Sequence, residues 1–237
     1  KVDVATAEAI QTLKDNGYEP FIATGRSSAE TRDIMESANI HSGIFMNGQV
    51  VLYQEQIIYS SQIPTETVEK FHQMVKEDGY GLTAYNHEQF YLVASSEGAK
   101  DAYGFIHTNP PALKEDFYKN HPINMMLFIC LPPAEEKYKE AFPHLDFLRN
   151  TPYSVDVISK GNSKAEGIKR FLEYLNQEDA KTFAFGDGPN DIEMLQAVQH
   201  PVAMGNALPI LKEIAEFITT DNTDNGIING LKHYGLI

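Results

Sequence analysis

The sequence predicts an α/β fold, a parallel-sheet core interrupted by an inserted α+β module. Three observations carry that expectation. Short apolar runs at 18–23, at 43–47 and up to Phe185 each end in a polar turn containing glycine, and the first and last then open into amphipathic stretches. From 61 to 156 the rhythm changes to short strands and helices without a repeated strand, helix, strand crossover. Beyond that stretch the alternation of the first part resumes.

Taken in order, residues 4–16 place Val4, Ala7, Ile10 and Leu13 at helical spacing, with Asp15, Asn16 and Gly17 as the stop. Residues 18–23 form a strand despite Pro20, and Thr24, Gly25, Arg26 and Ser27 turn from it into a helix over 28–38. Residues 43–47 form a strand ended by Gly48, and 50–53 with 56–59 form a hairpin about Gln54 and Glu55. Inside the module, 65–77 is a helix with Val68, Phe71 and Val75 inward, 81–85 and 89–94 are an antiparallel pair, and 98–107 is a second helix. The apolar run 124–131, ended by Pro132 and Pro133, is an internal strand. A helix over 135–142 and strands at 145–149 and 153–158 complete the module. The core then continues with a helix over 164–174, the strand ending at Phe185, a helix from Ile192, a strand at 201–204, a helix over 208–216, a strand at 217–219 and a closing helix over 226–234.

Composition narrows the function classes. The 237 residues carry 19 Lys and Arg against 33 Asp and Glu, a formal net charge of -14. Such a balance argues against a nucleic-acid surface, which needs concentrated positive charge. It is compatible with a small phosphorylated ligand, because one lysine and a metal ion reverse the potential locally. Cys130 is the single cysteine and lies in an apolar run, so no intrachain disulfide forms and a buried, small-hydrophobe role is expected. No apolar segment approaches a membrane span and no signal-peptide run is visible, so a cytoplasmic location is expected.

The chemistry-bearing residues sit at strand ends, where open α/β sheets place their ligands. Gly186, Asp187, Gly188, Pro189, Asn190 and Asp191 follow the strand that ends at Phe185. Two readings are open: a turn with a helix cap, which favours the same residue types, or a divalent cation site beside a phosphate. Thr24 and Gly25 either cap a helix or offer a hydroxyl and free N–H groups to a phosphate. Asn47 serves as a turn former or as a polar group at the same end of the sheet. Lys164 falls in the first turn of a helix, an end that disfavours a cation unless an anion lies beside it.

The spacing of Ala23-Thr24-Gly25-Arg26, of Lys164, of Gly186 to Asp191 and of Val202-Ala203-Met204-Gly205-Asn206 resembles the haloacid dehalogenase-like hydrolases, specifically Cof-type phosphatases with a large inserted (type IIB) cap. The resemblance covers essentially the whole chain. It implies a Rossmann-like core over 1–60 and 157–237 and a cap over 61–156. It also implies a Mg²⁺-dependent phosphomonoesterase acting on small phosphorylated metabolites, sugar phosphates first, through an aspartyl-phosphate. Carried over by motif, Thr24 binds the transferring phosphoryl group and Lys164 neutralises it. Asp187 is the Mg²⁺ ligand, Asp191 supports the metal's water shell and the lysine, and Gly25, Asn47 and Asn190 line the phosphate site. Cap aromatics Tyr85, Phe90, Tyr91 and Tyr103 are candidates for the substrate surface. The resemblance implies a small-metabolite partner, no nucleic acid, no membrane, and a monomer or weak homodimer.

One departure stands out. The family's first motif, a strand followed by Asp-x-Asp-Gly-Thr, has no match: Val2, Asp3 and Val4 lead straight into a helix. That strand lies in the middle of the family's sheet, so the reading expects about 20 residues upstream of Lys1, and without them two unpaired edges and an apolar slot. The alternatives are a phosphosugar mutase of the same superfamily, or a non-catalytic phosphometabolite-binding or regulatory module.

Overall fold

In the computed structural model, which describes residues 2–237, the chain opens with α1 (Val4–Asp15), capped by Asp3, whose carboxylate accepts the Thr6 N–H at 2.9 Å. β1 (Ile22–Ala23) leads into α2 (Ser28–Ser37), and β2 (Gly43–Phe45) runs parallel to β1. A one-turn 3₁₀ segment, Met46–Gly48, separates β2 from β3 (Val50–Tyr53), which returns antiparallel and is followed by β4 (Gln56–Ser60). Gln54 and Glu55 both take positive φ, 48° and 65°. Two such residues make the primed turn whose twist matches a two-residue hairpin.

The insert follows. α3 (Thr65–Asp78) ends on Gly79 in the left-handed conformation and buries Val68, Phe71, His72 and Val75. β5 (Gly81–Tyr85), β6 (Phe90–Ala94), α4 (Ala99–Phe105), a short α5 (Phe117–Asn120), β7 (Met125–Ile129), α6 (Glu135–Ala141), β8 (Leu145–Thr151) and β9 (Ser154–Ser159) complete it. Its sheet has the order β6-β5-β7-β9-β8, with every pair antiparallel. Phe71, Phe128, Tyr138 and Phe142 form the centre of its core, Phe71 lying 5.0 Å from both Tyr138 and Phe142 between ring centroids.

The chain then runs through α7 (Lys164–Leu175), β10 (Phe183–Gly186), a 3₁₀ turn at Pro189–Asp191, α8 (Ile192–Ala197), β11 (His200–Ala203), α9 (Pro209–Ile214), β12 (Phe217–Ile218) and α10 (Gly226–His233). The last three strands are parallel, in the order β10-β11-β12.

The chain divides into two compact units, one ending at Tyr59 and resuming at Ser163, the other spanning Ser60–Asn162. The sequence places the return at 157, but β9 runs unbroken to Ser159 and holds that segment in the insert. The first end of the insert is tied both to its middle, at Asn124, and to its other end, at Asn162. Asn124 donates to Ser60 Oγ and to the Ser61 carbonyl at 3.0 and 2.6 Å, and Asn162 donates to Ser61 Oγ and to the Ser159 carbonyl.

In the first unit the sheet comes in two pieces, β1 to β4 and β10 to β12, with β1 and β10 each at an edge. A cavity of about 620 Å³ is lined by both, with Ile22, Ala23, Phe183 and Phe185 on its sheet walls and Ile168 and Phe171 of α7 beneath. The lining is overwhelmingly aliphatic and aromatic. Among the described residues no helix is long and apolar enough to cross a membrane.

Two buried polar groups order the insert. Arg149 makes a bidentate pair with buried Glu135, at 2.6 and 2.7 Å, and also donates to the Cys130 carbonyl. The Arg149 hydrogen bonds hold the Glu135 carboxyl below its usual value. Burial pushes the Cys130 thiol up to about 11, in keeping with its packing role.

His72 is held by the Val93 carbonyl at 2.9 Å and by Tyr118 Oη at 3.2 Å. Burial disfavours its imidazolium and lowers its pKa below 6.5. As pH falls through about 6.5 the unfolded chain takes up a proton that the folded chain refuses, so stability present at neutral pH is progressively lost. The thermal midpoint is expected to fall between pH 7.5 and 5.5, and to fall less in His72→Gln. Identical falls in the two proteins would remove His72 as the cause.

Candidate active site

The site is built at the carboxyl ends of β1, β2 and β10. Lys164 opens α7, where Ser163 caps the helix by accepting the Glu166 N–H. Its ammonium meets Asp191 Oδ1 at 2.5 Å, and the two residues are only 5% and 6% exposed. This resolves the unfavourable placement of a cation in a first turn, because a carboxylate stands beside it. The second oxygen of Asp191 accepts the N–H groups of Asp187 and Gly188, both at 3.0 Å. One carboxylate thus binds the lysine and fixes the loop after β10. Gly186 makes that possible, since a Cβ there would lie 2.7 Å from Asp191 Cβ.

The other predicted residues join the same network. Asn190 donates from Nδ2 to Asn47 Oδ1 at 3.1 Å. Asn47 is buried and left-handed, with φ 53°, and its N–H donates to the Thr24 carbonyl. Gly48 follows at φ +90°, and a Cβ there would sit 2.1 Å from the Ser163 carbonyl oxygen. The turn after β2 is therefore seated directly on the residue that caps α7 and precedes Lys164. Thr24 Oγ accepts the Arg26 N–H at 3.1 Å, which leaves its proton to donate outward. Gly25 lies in the bend between Thr24 and Arg26. Asp187 is exposed, and its Oδ2 accepts from Asn206 Nδ2 at 2.9 Å.

The bland readings separate here. Thr24 does not cap α2. Ser27 does, in a capping box with Glu30, whose carboxylate accepts the Ser27 N–H at 2.8 Å. Asn47 is a turn former and also a partner of Asn190. Of the cap aromatics, Tyr85 and Tyr103 are each 3% exposed, and their hydroxyls bond each other at 3.1 Å. Tyr85 stacks on Phe90, and Tyr91 packs against Phe117. Tyr85 and Tyr103 therefore pack the insert, while Phe90 and Tyr91 are half-buried. Asn206 closes the Val202 to Asn206 motif, but the sequence assigns it no role, since nothing local to it points to Asp187.

Carboxylate and amide oxygens fit a hard cation such as Mg²⁺, which binds through one or two carboxylates and keeps several waters. Asp187, exposed and anchored by one oxygen, matches that demand. Among the described residues no three His, Cys, Asp or Glu side chains converge on one point.

Removing one partner of a buried ion pair typically costs about 3–5 kcal/mol. Asp191→Ala is therefore expected to lower the unfolding free energy by roughly that amount and to release the 187–190 loop. A melting midpoint equal to that of the parent protein would show that Lys164 finds other compensation.

Comparison with known proteins shows the family. The profile of the haloacid dehalogenase-like hydrolases matches residues 1–231. YkrA of Bacillus subtilis, provisionally named a phosphatase, is 36% identical over 98% of this chain and 91% of its own length. YitU of the same organism, named a 5-amino-6-(5-phospho-D-ribitylamino)uracil phosphatase, is 25% identical over 97% of this chain and 89% of its own. Among solved structures, a subclass IIB sugar phosphatase of the haloacid dehalogenase superfamily superposes with a TM-score of 0.85 at 28% identity, covering 100% of this chain and 93% of the other. With the fold, the strand-end network and a profile spanning nearly every residue in agreement, the chain belongs to the haloacid dehalogenase-like hydrolases, of the Cof type.

Proposed function

We propose that this hydrolase is a Mg²⁺-dependent phosphomonoesterase that acts on small phosphorylated metabolites, sugar phosphates first, through an aspartyl-phosphate. The observation that carries the reading is the single network linking Thr24, Asn47, Asn190, Asp191, Lys164 and Asp187 at one end of the sheet. Phosphoryl transfer needs little covalent help from the protein and much fixed charge compensation, and these groups supply it on rigid strand ends. Thr24 Oγ and the turn through Gly25 hold the phosphoryl oxygens. Lys164, already fixed by Asp191, neutralises them. Asn47 and Asn190 hold the approach to that position. Asp187 would hold Mg²⁺, which supplies charge compensation at the transferring group. The name of YitU and the sugar phosphatase neighbour support the substrate class.

The nucleophile in this reading is an aspartate on a strand seated between β1 and β10. The apolar slot of about 620 Å³ and the edge position of both strands support that seat. The aspartate carboxylate attacks phosphorus and expels the alkoxide, which a neighbouring acid protonates. The same group, now a base, then takes a proton from the water that hydrolyses the acyl phosphate. The inserted unit is assigned the selection of the leaving group.

The test is phosphate release from a panel of sugar phosphates by the complete protein, with and without Mg²⁺. Asp187→Ala is expected to abolish the Mg²⁺-dependent rate. Lys164→Ala is expected to lose about 10²–10³ in kcat/KM, as for removal of a group that stabilises developing charge. Equal rates in Asp187→Ala and the parent would remove the metal role. Phosphate and Mg²⁺ binding without turnover would replace the enzyme by a binding module.

A further inference from the structure

We infer that Asn206 is a positioning residue that sets the orientation of the Asp187 carboxylate for its cation. The inference rests on the reading of Asp187 as the metal ligand. In the parallel register of β10 and β11, Gly186 lies opposite Ala203, so the loops leaving the two strands run side by side. They are stitched at three points: Met204 N–H to the Gly186 carbonyl at 3.0 Å, Leu208 N–H to the Asp187 carbonyl at 3.2 Å, and Asn206 Nδ2 to Asp187 Oδ2 at 2.9 Å. With its own N–H bonded to Asp191, Asp187 has its backbone donor, its backbone acceptor and one carboxylate oxygen engaged. The oxygen left for a cation is Oδ1.

The Asn206 amide is itself held from behind. Its Oδ1 accepts the Asn222 N–H at 3.1 Å, which turns the NH₂ end toward Asp187 and leaves no equivalent flipped arrangement. The 220–224 loop that supplies this donor is braced in turn. Thr220 Oγ and the Asp224 carbonyl both accept from Asn229 of α10, and Gly205 N–H donates to the Thr220 carbonyl. Hydrogen bonds from α10 to the 220–224 loop, and from Asn222 of that loop through Asn206, thus lead to one oxygen of Asp187. Asn206 and Asp187 are both exposed. A hydrogen bond in water adds little to stability, so this chain contributes mainly by fixing a direction. Groups that hold a ligand in this way typically govern metal affinity by 10–100-fold.

The test is Mn²⁺ binding to the complete protein by calorimetry, with the Mn²⁺-induced shift in melting midpoint as a second readout, for the parent, Asn206→Ala, Asn206→Ser and Asp187→Ala. Serine is too short to span to Asp187 and guards against a fault peculiar to alanine. Each shift is taken from that variant's own metal-free midpoint, so altered folding is separated from altered binding. The expected result is roughly 10–100-fold weaker Mn²⁺ binding in both Asn206 variants, with metal-free midpoints close to the parent's. Unchanged affinity in both variants, with binding lost in Asp187→Ala, overturns the role of Asn206 and leaves the metal reading standing. Unchanged affinity in Asp187→Ala overturns both.

Discussion

The buried pair of Lys164 and Asp191 is the constraint around which the first unit is arranged. Burying two opposite charges costs several kcal/mol per ion before any attraction is counted. The structure offsets that cost by saturating the carboxylate, with Lys164 on one oxygen and two backbone N–H groups on the other. The return is position rather than stability. Every atom that holds Asp191 also fixes either the helix bearing Lys164 or the loop bearing Asp187, so neither group can move without disturbing the other.

Two glycines show how little slack remains around that pair. Gly186 lets β10 approach Asp191, and Gly48 lets a left-handed turn press on the carbonyl that precedes Lys164. Met46, Asn47 and Gly48 all have positive φ, an arrangement that non-glycine residues adopt only where surrounding contacts compensate. Here the compensation is visible: the Asn47 N–H and side chain are both engaged, and the ring of contacts closes from β2 through α7 to the loop after β10. Three consecutive left-handed residues thus shape the turn that bears Asn47.

Much of this was legible in the sequence, and the limits have physical reasons. The strand, turn and helix about Gly186 to Ile192 could be read because glycine, proline and asparagine announce a turn locally. The α/β class followed from rhythm alone. Lys164 could be placed in a first helical turn, but its partner lies 27 residues on, across a β-strand, and no local pattern encodes that contact. A cap and a phosphate-binding hydroxyl are both open for Thr24 because hydroxyls cap helices, whereas Ser27 has the glutamate three residues later that completes the box. Short α5 was missed because four residues show no period. Tyr85 and Tyr103 are surface candidates by residue type, yet exposure is a property of the sheet they pack on, and both are buried. The contact of Asn206 with Asp187 has no local signal either, its partner being supplied by strand register.

The ties among Asn124, Asn162, Ser60 and Ser61 carry a consequence for how such a chain is assembled over evolutionary time. Asn162 on Ser61 brings the two ends of the insert together, and Asn124 ties the first end to the start of β7, all inside the insert itself. To the host unit, the whole stretch from Ser60 to Asn162 then behaves as a brief detour rather than a long floppy loop, and closing it carries the entropy of a short connection. Residues within that detour can lengthen, shrink or be exchanged while the hydrogen bonds that fix Lys164, Asp187 and Asp191 stay untouched. The insert and the strand-end network can therefore change independently of each other.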